Sequence, residues 1–433
     1  MTGTVAGAAT GTARATRVRM GVLVLITLAT ALNYLDRSAM GVAKPELVKD
    51  LHISPEVMGL IFSAFSWTYA FAQIPGGIVL DKLGTRITYA LSLGLWSLAT
   101  LTHGFMTNVA GLVSARMALG IAEAPCFPAN SRILSTWFPQ SERARATGVY
   151  TVGEYVGLGL LIPLLGWIVA TWGWRSLYFI VGALGIVFAL VWYRLYRDPE
   201  HSARVNQAEL DAIAAGGGLA VAGASIPFTW SNVGKLLRKR QILGASIGQF
   251  CSNSTLVFFL TWFPSYLAED RGMSFIKSGF AVSLPYIAAS IGVMLGGVAS
   301  DWLIRRTGSP SIGRKLPIVA GLLLCATMGA ANFVDSNALV IVIMSIAFFG
   351  QGMAGLGWTL LSDVAPKSMI GLTGGVFNLC ANFAGIVTPL VVGFVVGGTG
   401  SFYGALVYIG ALGIVGAAAY IFILGPVERV SID

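Results

Sequence analysis

The sequence predicts an all-α integral membrane protein with twelve transmembrane helices in two pseudo-symmetric halves of six. Three observations lead to this fold class. The chain of 433 residues has a mean hydropathy of +0.76 and is 55% hydrophobic but only 11% charged. Apolar stretches of about 20 residues, the length that a helix needs to cross a bilayer, recur along the chain. A short motif of the first half also reappears in the second half.

The hydropathy pattern divides the chain into twelve predicted spans. Each is long enough to cross the hydrocarbon core, which is about 30 Å thick, as a single helix. Because the number of spans is even, we expect both termini on one side of the membrane. The predicted spans are residues 20–42, 54–80, 86–107, 109–131, 146–171, 175–196, 241–268, 274–302, 316–335, 338–361, 369–396 and 400–425.

Basic residues in the loops predict how the spans are oriented. Most of the 28 Lys and Arg residues fall on the side of the termini. Cytoplasmic loops carry an excess of positive charge, so we expect both termini to be cytoplasmic. Residues 1–19 are rich in Ala, Gly and Thr, and we expect a disordered cytoplasmic segment without a cleaved signal peptide.

A polar insertion separates the two predicted halves. Residues 198–240 are rich in charge and include three consecutive glycines, which indicates a cytoplasmic linker. The first half then covers residues 20–197 and the second half residues 241–426. Residues 427–433 are expected to form a short cytoplasmic tail.

An internal repeat supports this division. In each half, a Gly-Gly pair at the cytoplasmic end of the second span is followed by an aspartate and then by basic residues. Two related halves joined by a long loop are typical of secondary transporters, whose substrate sites lie near the midplane of the bilayer. The two copies are Gly76, Gly77, Asp81, Lys82 and Arg86, and Gly296, Gly297, Asp301, Arg305 and Arg306.

The first and fourth predicted spans together contain four charged residues. They are Asp36 and Arg37 in the first span, and Arg116 and Glu123 in the fourth. A charge near the middle of a membrane helix costs about 2.5–3.5 kcal/mol, so these charges indicate a translocation pathway. The alternative is a static ion network between two helices. We favour the pathway because a packed apolar interface is usually at least as stable as a buried ion pair.

Several segments resemble a known family. Residues 77–86 are similar to the loop signature of the major facilitator superfamily. The similarity to one branch, the anion:cation symporters, covers nearly all of the chain after residue 20. It implies a twelve-helix, alternating-access carrier of the bacterial cytoplasmic membrane that imports a sugar acid with protons, as a monomer without a cofactor. The segments that carry this second resemblance are NYLDR at 33–37, FSAFSW at 62–67, QIPGG at 73–77 and EAP at 123–125.

A carrier of an organic anion needs a fixed cation where the substrate loses its water. Arg37 and Arg116 are the candidates within the spans, and a guanidinium can hold a carboxylate through two hydrogen bonds. We expect Arg37 to face the central cavity. The coupled proton needs a group that titrates. Because His52 and His201 fall in predicted loops and His103 lies near the end of the third span, we expect carboxylates to carry that proton.

Asp36 and Glu123 are the best placed proton carriers. Arg116 and Glu123 are seven residues apart, so they share a helix face about 10 Å apart along the axis. Asp36 and Arg37 point about 100° apart around their helix, and we expect Asp36 to face Arg116. Glu154 is either a third proton carrier or the site of an ordinary hydrogen bond between helices.

The cavity wall should bind the hydroxyl groups of a polyol acid. Amides both donate and accept hydrogen bonds, and an indole face can stack on a carbon chain. The alternative for each candidate is helix packing or a hydrogen bond between helices. The candidates are Tyr69, Gln73, Gln249, Asn253, Trp358, Asn378 and Asn382. The resemblance matches four of them to substrate contacts of the galactonate carriers, namely Tyr69, Gln249, Trp358 and Asn378.

One position leaves the substrate open. Gly355 and Gly357 stand where the galactonate carriers present hydroxyl side chains, whereas glycine there resembles the glucarate and galactarate carriers. A wider pocket with fewer donors would suit a longer or dianionic ligand. The candidates are galactonate, glucarate or galactarate, and a hexuronate. Tartrate or an aromatic carboxylate is the alternative within the same family.

The repeated motif indicates a cytoplasmic gate. We expect Asp81 to pair with Arg86 when the inner side is closed, with Arg143 or Arg145 as a further partner and Asp301 as its counterpart in the second half. A simple role in setting the topology is the alternative for the basic residues.

Other functional classes have less support. The net charge of +9 is explained by the basic residues of the loops, which orient the spans in the membrane, so no nucleic-acid partner is expected. The sequence contains no GxxxxGK[ST] loop for ATP and no catalytic constellation for an enzyme. A non-transporting sensor would normally carry an added soluble domain. An organophosphate antiporter would use two arginines but not the Asp36 and Glu123 pair. The four cysteines show no metal-binding spacing.

Overall fold

A computed structural model describes residues 15–218, 230–366 and 369–431. Within these ranges the regular structure is helical throughout. Nine helices are long and apolar enough to cross a membrane, or ten if the bent helix Pro55–His103 counts as one span. This confirms the predicted fold class of a polytopic helical membrane protein.

Two of the helical stretches are too long for a single crossing. Pro55–His103 has 49 residues and Gln140–Leu195 has 56, whereas one crossing takes about 20. Each stretch breaks at a glycine in the left-handed region, at Gly84 with φ 73° and Gly173 with φ 80°. Glycine adopts this conformation without a steric penalty.

The first of these breaks reverses the chain. The hydroxyl of Thr88, beyond Gly84, donates to the carbonyl of Val79, before it. When both long stretches are divided at these glycines, the described residues contain twelve long helices, one for each predicted span. The helices are α1 (Val18–Leu51), α2 (55–83), α3 (85–103), α4 (Val109–Trp137), α5 (140–172), α6 (174–195), α7 (240–270), α8 (Phe275–Thr307), α9 (Pro310–Phe333), α10 (Asn337–Val364), α11 (Ile370–Thr399) and α12 (Tyr403–Ile423).

The largest difference from the predicted bounds is in α1. This helix continues to Leu51, nine residues past the predicted end, and includes Pro45. It ends at His52, which has φ 52° and donates its backbone N–H to the carbonyl of Val48. Residues that were assigned to a loop, among them Lys44, therefore belong to a helix.

The first part of the linker packs against the first half. It contains the short helices Pro199–His201, Gln207–Ala215 and Trp230–Leu237, while residues 219–229 lie outside the described residues. Buried Glu209 accepts hydrogen bonds from the hydroxyl of Thr16 at 2.6 Å and from the backbone N–H of Val18 at 3.1 Å. An acidic side chain from the linker therefore caps the start of α1.

The structure describes part of each terminal segment of the chain. Thr16 and Val18 make the contacts with Glu209 just described, and residues 1–14 of the segment predicted at 1–19 lie outside the described residues. In the predicted tail, the backbone N–H of Val430 donates to the carbonyl of Val364 at 2.9 Å. Residues 432 and 433 again lie outside the description.

The two halves meet closely at the face opposite the termini. There Gly41 of α1 lies against the carbonyl of Leu260 of α7, and Gly59 of α2 lies against the carbonyl of Pro389 of α11. A side chain on either glycine would collide with the facing backbone. At the terminal face, where α1 begins and α12 ends, no ion pair between described residues joins the halves.

Candidate functional site

An ion pair between α1 and α4 forms the centre of the candidate site. Nε of Arg37 donates to Oε2 of Glu123 at 2.9 Å, and the carboxylate side chain is fully buried. Glu123 is the last residue of the first segment of α4, which is interrupted before the second segment begins at Cys126. Pro125 at this break has no N–H to continue the helical hydrogen bonds.

Aromatic rings surround the Arg37 guanidinium. The ring centres lie 4.7–6.0 Å from its central carbon, within the range of cation–π attraction. Its Nη2 atom has no hydrogen-bond partner among the described residues. Donors of the guanidinium thus remain available for a carboxylate. The four rings belong to Tyr34, Phe65, Tyr69 and Phe127.

Asp36 points away from Arg37, as the helical geometry predicts. Its Oδ1 atom accepts a hydrogen bond of 2.9 Å from the hydroxyl of Thr100 on α3. The expected partner, Arg116, is buried on α4, and its Nη2 atom donates to the carbonyl of Phe62 at 3.5 Å. Arg116 takes part in no ion pair with a described carboxylate within 4.0 Å. The side chains thus share one half, but the structure does not pair them.

Glu154 of α5 is also close to the centre. It is buried, and its carboxyl group interacts electrostatically with Arg37. Gly153 and Gly157 on either side of it let α5 approach α1, since Gly157 lies directly against Ala31. A third buried carboxylate therefore lies on a helix that packs against α1.

Four of the predicted wall residues keep polar or aromatic groups available. Tyr69 presents its ring to Arg37. Nε2 of Gln73 and Oε1 of Gln249 have no hydrogen-bond partner among the described residues. Trp358 is 43% exposed and packs edge-on against Phe377, with ring centres 4.8 Å apart. These side chains are free to contact a ligand.

The three asparagines are more occupied. Nδ2 of Asn253 on α7 donates to the carbonyl of Ala381 on α11 at 2.6 Å. Nδ2 of Asn382 donates to the carbonyl of Asn378 at 2.8 Å and to its side-chain oxygen at 3.2 Å. The amide groups of Asn253 and Asn382 are therefore used in hydrogen bonds between and within helices, which is the alternative to substrate binding given for these residues.

The two glycines before Trp358 lie at an interruption of α10. Its first segment ends at Ala354, and the next begins at Gly357. A Cβ at Gly357 would lie 2.7 Å from Oε1 of Gln249. Glycine at position 357 therefore lets the backbone of α10 come close to this buried amide oxygen, and a side chain there would collide with it.

The predicted gate residues form ion pairs within their own halves. Asp81 accepts from Arg132 at 3.2 Å, and Asp301 accepts from Arg314 at 3.4 Å. Arg86 does not pair with Asp81, because the turn at Gly84 directs it towards α6. There it donates twice to the carbonyl of Tyr193, at 3.0 and 2.9 Å.

The other predicted partner of Asp81 is engaged as well. Nη2 of Arg143 donates to the carbonyls of Ser135 and Gly217, at 2.8 and 2.7 Å, and so ties α4 to the linker.

Sequence reasoning missed three residues. His103, which its position near the end of the third predicted span does not single out, is buried at the end of α3 and stacked on Tyr178 with ring centres 5.1 Å apart. The hydroxyl of Thr100, the partner of Asp36, could have been found as a polar group within an apolar span. Lys44, buried and paired with Glu269, could not, because both were assigned to loops.

Metal ligation has no support among the described residues, where no group of three or more His, Cys, Asp or Glu side chains is arranged to hold an ion. All four cysteines are unpaired thiols, and three of them are buried.

Comparison with known proteins gives two consistent results. The model of the Major Facilitator Superfamily matches residues 26–389. A probable galactarate/D-glucarate transporter of Escherichia coli K12 is 41% identical, over 98% of this chain and 97% of that protein. A D-galactonate transporter of E. coli O6:H1 is 42% identical, over 96% and 97%. A hexuronate transporter of Bacillus subtilis is 30% identical, over 94% and 95%.

The fold is also similar to solved structures. A bacterial homologue of the human lysosomal transporter Spinster, in an inward-facing and occupied conformation, superposes with a TM-score of 0.74. The match covers 96% of this chain and 100% of that one, at 20% sequence identity. The two proteins therefore share a fold, and a sequence identity of 20% supports no conclusion beyond the fold.

Proposed function

We propose that this chain, which belongs to the Major Facilitator Superfamily, is a proton-coupled carrier of sugar acids in the bacterial cytoplasmic membrane. It imports galactonate, glucarate or galactarate, or a hexuronate by alternating access, with both termini in the cytoplasm. The observation that carries the proposal is the buried Arg37–Glu123 pair, ringed by aromatic side chains, in a chain about 40% identical to sugar-acid transporters.

Arg37 is the cation that binds the substrate carboxylate at the centre of the site. Its Nε atom is engaged by Glu123, so the Nη edge meets the substrate carboxylate through charge-assisted hydrogen bonds. The surrounding rings exclude water and stabilise the cation. Tyr69, Gln73, Gln249 and Trp358 then face the hydroxyl groups and the carbon chain. Asn378 contributes its side-chain NH2 group, because its oxygen accepts from Asn382.

Proton coupling follows from competition for one cation. When a substrate carboxylate takes up donors of Arg37, Glu123 loses part of its partner while it stays buried. A buried carboxylate without its counter-ion is stabilised by protonation. Substrate binding and proton uptake at Glu123 therefore favour each other.

Asp36 is the second proton carrier. It is buried, and its Oδ1 atom accepts a hydrogen bond from a neutral hydroxyl, that of Thr100. Arg116 balances the charge of this region at longer range. Glu154, which faces the same cation from α5, is available as a third group.

Two titrating groups matter energetically. Moving one negative charge inward against 100 mV, inside negative, costs about 2.3 kcal/mol. A monoanion that enters with one proton gains nothing from the potential, whereas one that enters with two protons gains about 2.3 kcal/mol. A dianion needs two protons to be electroneutral. The stoichiometry thus depends on which acid is carried.

Alternating access requires the closed face to open. The glycine contacts of α1 with α7 and of α2 with α11 hold the face opposite the termini shut in this conformation. In this conformation Asp81 and Asp301 are paired within their own halves. In the other conformation they help to close the terminal face, while Arg86 supports the turn beside Asp81.

The experiment is uptake of labelled galactonate and glucarate into proteoliposomes. Each acid is offered with an inward proton gradient, with a potassium–valinomycin potential and with neither, and protein-free liposomes give the background. Accumulation driven by either force supports the proposal. Equilibration that is indifferent to both forces contradicts coupling, and no uptake of any tested sugar acid contradicts the substrate class.

A further inference from the structure

A buried lysine joins the two halves at the face opposite the termini. Lys44 of α1 is 2% exposed, and its Nζ atom lies 2.8 Å from both carboxylate oxygens of Glu269. The same atom lies 4.7 Å from the ring centre of Trp262 and 5.9 Å from that of Phe402. Every one of these contacts belongs to the second half.

Lys44 and Arg37 lie along one line on α1. They are seven residues apart, which is close to two full turns, so they share a face about 10 Å apart along the axis. Lys44 is the one nearer to the face opposite the termini. An anion that enters from that face meets Lys44 before it reaches Arg37.

Separation of the halves has unequal effects on the two partners. Glu269 is 39% exposed already in the closed state, so water can solvate its carboxylate when the pair breaks. Lys44 must leave the contacts of Trp262, Glu269 and Phe402 together. It then presents an unpaired ammonium group to the open mouth of the cavity, where a carboxylate is its natural counter-ion.

We propose that Lys44 is a second anion-binding residue, a docking site for the carboxylate of the incoming substrate that is free only when the outer face is open. On closure, Glu269 recovers the ammonium group and displaces the substrate carboxylate towards Arg37, two turns deeper. One lysine thus serves delivery and closure in succession. The inference rests on the proposed function as an importer of organic anions.

A docking role and a purely structural gate predict different effects when the two charges are removed or exchanged. A gate needs both partners equally and tolerates their exchange, whereas docking of an anion needs the positive charge on α1. The informative variants are Lys44→Gln, Lys44→Arg, Glu269→Gln and the exchange Lys44→Glu with Glu269→Lys. Lys49→Gln is the matched control, since Lys49 is 72% exposed and pairs only with Glu46 on its own helix.

The measurement is the initial rate of sugar-acid uptake by intact cells that express each variant at an equal level. We expect Lys44→Gln and the exchanged pair to raise KM roughly fivefold, the effect of about one solvent-exposed charge pair. Lys44→Arg and Lys49→Gln should leave KM near the wild-type value, whereas Glu269→Gln, which removes the group that recovers the ammonium on closure, should lower the maximal rate more than it raises KM. The retained KM of Lys44→Arg also controls for folding at this position.

Three outcomes would overturn the inference. These are an unchanged KM in Lys44→Gln, an equal rise in Lys44→Gln and Glu269→Gln, and recovery of the wild-type KM by the exchanged pair. Each of them leaves the proposed function intact, because the wild type still transports. Failure of the wild type to take up any sugar acid refutes the proposed function, and the docking role with it.

Discussion

Replacement of Arg37 by lysine separates the shape of the cation from its charge. In the structure Nε is engaged by Glu123 at 2.9 Å, and the substrate is left with the Nη edge. An ammonium group keeps the charge but cannot hold Glu123 and a carboxylate in one plane. Loss of one charge-assisted hydrogen bond costs about 1.5–3 kcal/mol. We therefore expect Kd for the sugar acid to rise about 10- to 150-fold in Arg37→Lys.

Isothermal titration calorimetry of the detergent-purified protein measures this change directly. Arg132→Lys is the matched control, because it makes the same substitution in a partly exposed pair with Asp81, away from the centre, and should leave Kd unchanged. A Kd for Arg37→Lys within twofold of wild type, for an acid that the wild type binds, would place the anion elsewhere and refute the reasoning.

Three further predictions concern coupling and closure. Asp36→Asn keeps an oxygen that can accept from Thr100, so the protein should fold and exchange substrate across the membrane but lose proton-driven accumulation; wild-type accumulation would remove Asp36 from coupling. Glu123→Gln should likewise abolish uphill uptake while counterflow persists, and intact uphill uptake would move the role to another carboxylate. In Gly41→Val the new side chain meets the carbonyl of Leu260, so the outer face should stay open, which thiol-labelling of an introduced outer cysteine would detect as increased reactivity.

The number of spans could be predicted because it depends on quantities that the sequence carries directly. Length and hydropathy determine how many apolar segments fit a bilayer, and the glycines at positions 84 and 173 mark the tight reversals. The ends of the helices were less predictable. α1 runs to Leu51 through charged residues, of which Lys44 is buried against the second half.

The residues of the site were predictable as a set, but several of their partners were not. Arg37 and Glu123 stand out because charges are rare within spans. Their direct pairing depends on how α1 and α4 lie against each other, with Gly76 of α2 against Pro125 at the break in α4. Sequence spacing gives separations within a helix, and so it could not show that Asp36 meets Thr100 of α3.

The same limit explains Lys44 and Glu269. They are far apart in the chain, and each appeared as an ordinary charge in a polar loop. Only the packing of the first half against the second buries the lysine to 2% exposure. Contacts between the halves also depend on the conformation of the carrier, which composition and periodicity do not specify.

The most direct test is whether protons cross with the substrate. Proteoliposomes that contain a pH-sensitive dye, with no imposed gradient, are mixed with galactonate or glucarate, and the wild type is compared with Asp36→Asn. We expect the interior to acidify on addition of the transported acid in the wild type and not in the variant. Uptake of labelled acid by the wild type without any change of internal pH would contradict proton coupling.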